Sequence, residues 1–184
     1  MEENTRKILS TFTFRDMQVN YLIDADQYVS LELLPAGMEE QIIREGKILH
    51  PDSLIQAKLV GDAYPSTLAN GQTMRQSGTT NQMRYVKQEV VQQDNVTTIR
   101  TFLSDGNDHI FIHELGYTAN DYAFSSRVVF ENHSDMPATL EYISSFSLGN
   151  ITPFVEGEAN NALNLYRIRS KWSNEAHLVK ESAA

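Results

Sequence analysis

Residues 96–131, VTTIRTFLSDGNDHIFIHELGYTANDYAFSSRVVFE, decide the fold. Val96 to Leu103 is rich in Thr and apolar residues, a composition that suits a half-buried extended strand. Asp105-Gly106-Asn107-Asp108 then supplies the residues that tolerate tight-turn geometry, so the chain reverses there. His109 to Leu115 returns antiparallel, and Asn120-Asp121 turns it again. In Ala123 to Glu131 the side chains of Phe124, Val128 and Phe130 fall on one face, as period two requires. Three strands joined by two polar turns make a meander, and a meander needs a second layer to cover its apolar face.

The same signals extend in both directions. Upstream, Val29, Leu31 and Leu33 alternate with Ser30 and Glu32; Leu54 to Val60 is a mixed strand, and Tyr85 to Val91 alternates through Lys87 and Glu89. Downstream, Asn132 to Pro137 breaks the meander, and Thr139 to Leu148 places Leu140, Tyr142, Phe146 and Leu148 on one side. Only Gly37 to Arg44 offers helical periodicity, ended by Glu45-Gly46-Lys47. Short strands at near-regular spacing predict an all-β, antiparallel sandwich. Beyond Pro153 the alternation fades to a short strand over Leu163 to Ser170 and a polar tail, which reads as a fragment boundary.

Bulk properties narrow the function. The 184 residues carry a formal charge of −9, with 41% hydrophobic and 21% charged residues. That is a globular composition, and its sign argues against nucleic acid and against anionic membranes as partners. There are no cysteines, so thiol catalysis, thiolate metal sites and disulfides are excluded. The N-terminus has no signal-peptide core, and no apolar run reaches spanning length, so the expected location is the cytoplasm. Asn-x-Ser/Thr triplets at Asn95, Asn132 and Asn150 are then chance occurrences.

Phosphate-cradling glycine motifs and the hydrolase elbow are missing, and nothing calls for a cofactor. His109 and His113 lie four apart, but on a strand that spacing spans roughly 13 Å, too far for one ion. They read as sheet-packed or solvent-facing, and no metal site is expected. His50, His133 and His177 stand singly. The acidic residues fall in turns (Asp105, Asp108, Asp121, Asp135) or at outward strand positions (Glu32, Glu89, Glu141), and no catalytic carboxylate pair emerges.

One loop stands apart. Lys58 to Ser77, KLVGDAYPSTLANGQTMRQS, is punctuated by Gly61, Pro65 and Gly71 and carries Asp62, Tyr64, Met74 and Arg75. A carboxylate, a guanidinium and an aromatic ring on one loop suit a polyhydroxylated ligand. Alternatively Asp62 caps a turn beside Gly61, and Arg75 pairs with it or with a neighbour. The residue types alone favour this second, structural role.

In order along the chain, LELLPAG (31–37), LVGDAYPSTLANGQTMRQS (59–77), TTIRTFLSD (97–105), FENHSDMPATLEYISSFSLGNITPF (130–154) and RIRSKWS (167–173) resemble the N-terminal domain of glycoside hydrolase family 36 α-galactosidases. The resemblance implies the first part of a β-supersandwich of the galactose mutarotase type. It implies a downstream (β/α)8 barrel holding both catalytic aspartates, a homo-oligomer, and a galactoside of the melibiose or raffinose type as the parent enzyme's substrate. No catalytic residue is then expected in this chain. Asp62 and Arg75 are implied as substrate contacts, with Tyr64 and Met74 beside them. Family sequences often carry two acids after the glycine, whereas here Ala63 follows Asp62, so Arg75 carries over most cleanly. Two other expectations share the fold: a self-standing carbohydrate-binding module with Tyr64 or Trp172 as platform, and a mutarotase-like epimerase using His109, His113 and Glu114.

Overall fold

A computed structural model describes residues 6–43, 52–63, 75–149, 151–155, 162–172 and 174–182. Chain contacts divide it into two units, Met1–Gly37 with His50–Gly149, and Met38–Leu49 with Asn150–Ala184.

The first unit is built from antiparallel strands. β1 (Lys7–Phe14), β2 (Met17–Ile23) and β3 (Val29–Pro35) form one meander. β5 (Arg84–Gln93), β6 (Val96–Ser104), β7 (His109–Thr118) and β8 (Phe124–Asn132) form a second. β4 (Ala57–Leu59) pairs with β9 (Leu140–Ile143), and the short helix α1 (Gly78–Gln82) leads into β5. The meander expected over residues 96–131 is therefore present, with Ile99 opposite Leu115, Leu103 opposite Phe111, and Phe111 opposite Phe130. Gly106 and Asp108, both at positive φ, make the reversal between β6 and β7, a conformation that Gly and Asp adopt more readily than most residues.

The two meanders share one core. Phe14, Val19, Tyr21, Val29 and Leu31 from the first join Ile99, Leu103, Phe111 and Leu115 from the second, with Leu54, Ile55, Ala57 and Met83 among them. Phe14 stacks on Tyr117 with ring centroids 4.5 Å apart. The architecture is an all-β antiparallel sandwich, and what holds it is apolar area removed from water on the facing sides of the sheets.

Several local expectations need correction. β1 and β2 were not evident as strands: Ser10, Thr11, Thr13, Gln18 and Asn20 interrupt their apolar pattern. Glu32, expected at an outward position, is fully buried. It accepts a 3.2 Å hydrogen bond from Asn20 Nδ2, and Asn20 Oδ1 accepts from Gln18 Nε2 and Thr11 Oγ1. Polar residues on that face of the sheet satisfy one another, so alternation of polar and apolar residues does not mark inside and outside there. The strand expected over Thr139–Leu148 is confined to Leu140–Ile143. After it, Gln56 N–H donates to Ser144 Oγ and Ser144 N–H to Gln56 O, while Phe146 and Leu148 pack against the core.

Among its described residues the second unit has a 3-10 turn at Glu39–Gln41, where a helical segment was expected from Gly37 to Arg44; residue 44 and the expected stop at 45–47 lie outside the described residues. Ile43 N–H donates to Pro153 O at 2.9 Å. β10 (Asn164–Lys171) pairs with β11 (Asn174–Ser182), so the polar tail is a strand. Its ladder places Ile168 opposite Leu178, and Glu181 pairs with Arg167 and Arg169. Cross-strand pairs of this kind stabilise a hairpin whose strands lack strong alternation.

Candidate functional site

The loop singled out by the sequence leaves β4 at Leu59 and returns at α1. Its outgoing end turns through Gly61 at φ +97°, in the left-handed region that favours glycine. Asp62 follows, half-buried. Its Oδ2 accepts from Leu59 N–H at 3.1 Å and from Thr79 N–H at 3.2 Å. Burial pushes the Asp62 carboxyl up, but the hydrogen bonds from Thr79, Leu59 and Ser77 outweigh it and hold the group below the usual carboxylate range, as donors to a charged form must.

The returning end is held as firmly. Gln76 N–H donates to Gln56 Oε1 at 2.8 Å. Ser77 caps α1, accepting from Thr80 N–H at 3.1 Å, and its hydroxyl donates to Ala57 O. Thr80 Oγ1 accepts from Ala57 N–H at 2.9 Å. Buried Ser77, Thr79 and Thr80 therefore stitch the helix to β4, and Asp62 completes the stitch.

Arg75 sits where that anchored base meets the loop. Its side chain is 57% exposed and its guanidinium pairs with Asp52, to which Gln76 Nε2 also donates at 3.3 Å. Asp62 thus caps its turn, as the structural reading had it, while Arg75 pairs with Asp52, an acid distant in sequence rather than a chain neighbour. Tyr64 and Met74, with Pro65 and Gly71, lie outside the described residues, so the four expected contact residues are placed only for Asp62 and Arg75. Asp52 was missed, because nothing local in PDSL distinguishes it from a loop acid.

The histidines are both on β7, on the same face, as the strand reading required. His113 is fully buried between the sheets, its ring centroid 6.3 Å from that of Tyr21. Ser126 Oγ donates to Ser145 O at 2.6 Å, so the 3.0 Å contact between His113 Nε2 and Ser126 Oγ is donated by the histidine. Nδ1 is then a bare lone pair in the core, and it has no partner. Burial pushes the imidazole down to about 4, against the opposing pull of Glu114. Glu114 itself points to the other face of β7, where it receives Arg100 Nε at 2.9 Å and Arg127 Nε. The trio His109, His113 and Glu114 is not assembled into an acid–base site.

His109 is held differently. Asp105 Oδ2 meets its Nδ1 at 2.8 Å, while Asp105 Oδ1 accepts from Asn107 N–H at 2.9 Å. The turn acid between β6 and β7 thereby orients a side chain as well as the backbone, a role its position in a D-G-N-D turn did not signal.

Among the described residues, no group of three metal-ligating side chains comes together and no helix is long and apolar enough to cross a membrane. No known family model, curated protein or solved structure matches the chain.

Proposed function

We propose that this chain is the non-catalytic N-terminal β-sandwich region of a cytoplasmic family 36 α-galactosidase. In this reading a downstream barrel hydrolyses terminal α-galactosides with retention through a glycosyl-enzyme, and the present region supports the barrel, contributes to a homo-oligomer and offers Arg75 to substrate. The observation that carries it is the ordered series of sequence blocks between residues 31 and 173 on an all-β antiparallel sandwich. The pinned base under an exposed Arg75 guanidinium supports the loop's part in it.

The test is the reading frame beyond the codon for Ala184. A (β/α)8 barrel with two strand-end aspartates is expected; a frame with no barrel refutes the proposal. In the full-length enzyme, Arg75→Ala should raise KM for melibiose by about tenfold or more with the oligomer intact, since one charged contact is worth roughly 1.5–3 kcal/mol. The isolated chain should not turn over an aryl α-galactoside.

A second reading, a self-standing carbohydrate-binding module, is favoured by Trp172. That residue is 98% exposed at the turn between β10 and β11, as a sugar-stacking platform would be. Calorimetry of the chain with melibiose and raffinose separates the two readings. Binding that Trp172→Ala abolishes supports the module, and no heat supports the α-galactosidase region.

A further inference from the structure

A cavity of about 460 Å³ opens beside the turn that joins β6 to β7, within the size range of small-ligand sites. One wall is apolar, from Leu59, Val60, Met136 and Pro137; His109, with Ser134 and Thr139, supplies the polar side. From this we infer a binding site for a small, neutral, hydroxylated ligand with one apolar face, of which a monosaccharide is the type, with His109 Nε2 as the acceptor of a ligand hydroxyl.

The chemistry follows from how the ring is held. Asp105 is buried and accepts from His109 Nδ1, so in the neutral imidazole the proton sits on Nδ1 and Nε2 carries the lone pair. Phe130 packs against the ring with centroids 5.5 Å apart, limiting its rotation. A fixed acceptor with no other partner among the described residues selects a ligand that can donate, and a hydroxyl does so without a charge cost. An anion is disfavoured, since Asp105 stands directly behind the histidine and no lysine or arginine lines the cavity. A metal ion finds only one strong ligand there, because serine, threonine and asparagine are poor replacements for further imidazoles or carboxylates. The apolar wall suits the C–H face of a pyranose opposite its hydroxyls.

Neither Arg75 nor Trp172 lines the cavity, and the proposal does not depend on the α-galactosidase reading. Long-range ¹H–¹⁵N spectra of the full chain at neutral pH test it, with D-galactose and D-glucose as probes. The His109 Nε2 resonance and the Met136 methyl should shift saturably, with a Kd of order millimolar, the affinity typical of so small a ligand. His133 and His177 should not move. His109→Phe keeps the packing on Phe130 but removes the acceptor, and should weaken binding by about tenfold or more. Linear, unsaturable shifts up to about 100 mM sugar overturn the proposal, as does unchanged affinity in His109→Phe. Saturation by acetate or by Zn²⁺ with none by either sugar overturns the ligand class.

Discussion

Replacing His113 by glutamine should flatten the protein's stability between pH 7 and pH 4. In the folded chain the imidazole is neutral down to about 4, because protonation would place a charge and a second N–H in the core. There Nδ1 faces no acceptor and Tyr21 packs nearby. In the unfolded chain the same ring titrates at its ordinary value of 6.5. As pH falls through 6.5 the unfolded state takes up a proton that the folded state refuses. Stability therefore declines from there and stops declining, for this group, below about 4. At roughly 1.4 kcal/mol for each pH unit between the two values, the loss is about 3 kcal/mol. That is a large part of the 5–15 kcal/mol, roughly, that such domains possess. Urea unfolding at a series of pH values measures it directly. Wild type should lose about 3 kcal/mol more than His113→Gln across the interval, whatever offset the substitution adds at pH 7. Should the variant not fold, the ring nitrogens of wild-type His113 can be followed by NMR, and should stay in the neutral pattern to about pH 4. Parallel stability profiles, or a folded-state titration near 6.5, refute the reasoning.

Three further outcomes follow from the geometry. Phe111→Ala empties the centre of the core, where the residue is fully buried, and should lower unfolding free energy by about 3–5 kcal/mol in chemical denaturation. Asp62→Ala removes the acceptor of Leu59 and Thr79 N–H. The expected loss is about 1 kcal/mol at neutral pH, shrinking as pH falls below the usual carboxylate range, where the wild-type group protonates and loses its own advantage. Gly61→Ala meets no atom within 4 Å but must adopt φ +97°, so thermal unfolding should show a cost of about 1–2 kcal/mol from backbone strain alone.

Period two and turn chemistry made the second meander legible, because Ile99, Leu103, Phe111 and Leu115 recur on its inward face and its reversals fall at Asp, Asn and Gly. The first meander was partly hidden for a physical reason. Its other face carries buried Gln18, Asn20 and Glu32, satisfied by one another and by Thr11 at the rim, so hydrophobicity does not alternate as burial does. The helix α1 was hidden too, since GTTNQ has little helical propensity. It forms because Ser77 caps it and Thr80 bonds back to β4. The Asp105–His109 bond was hidden in a turn whose acid already had a sufficient local explanation.

The loop from Lys58 to Ser77 shows how far residue types reach. Asp and Arg in one loop suggested a grip, but the acid spends its acceptors on Leu59 and Thr79 of its own scaffold. Turning that carboxylate toward a ligand would leave two backbone donors unmatched, at about 1–3 kcal/mol each where water cannot replace it. Arg75 carries a smaller penalty, since its pairing with Asp52 is half-exposed and exposed ion pairs contribute only about 0–1 kcal/mol. An acceptor can therefore compete for the guanidinium far more easily than a donor can compete for the Asp62 carboxylate. Of the two, Arg75 is the side chain that can change partners at lower cost, while Asp62 fastens the outgoing end of the loop to α1.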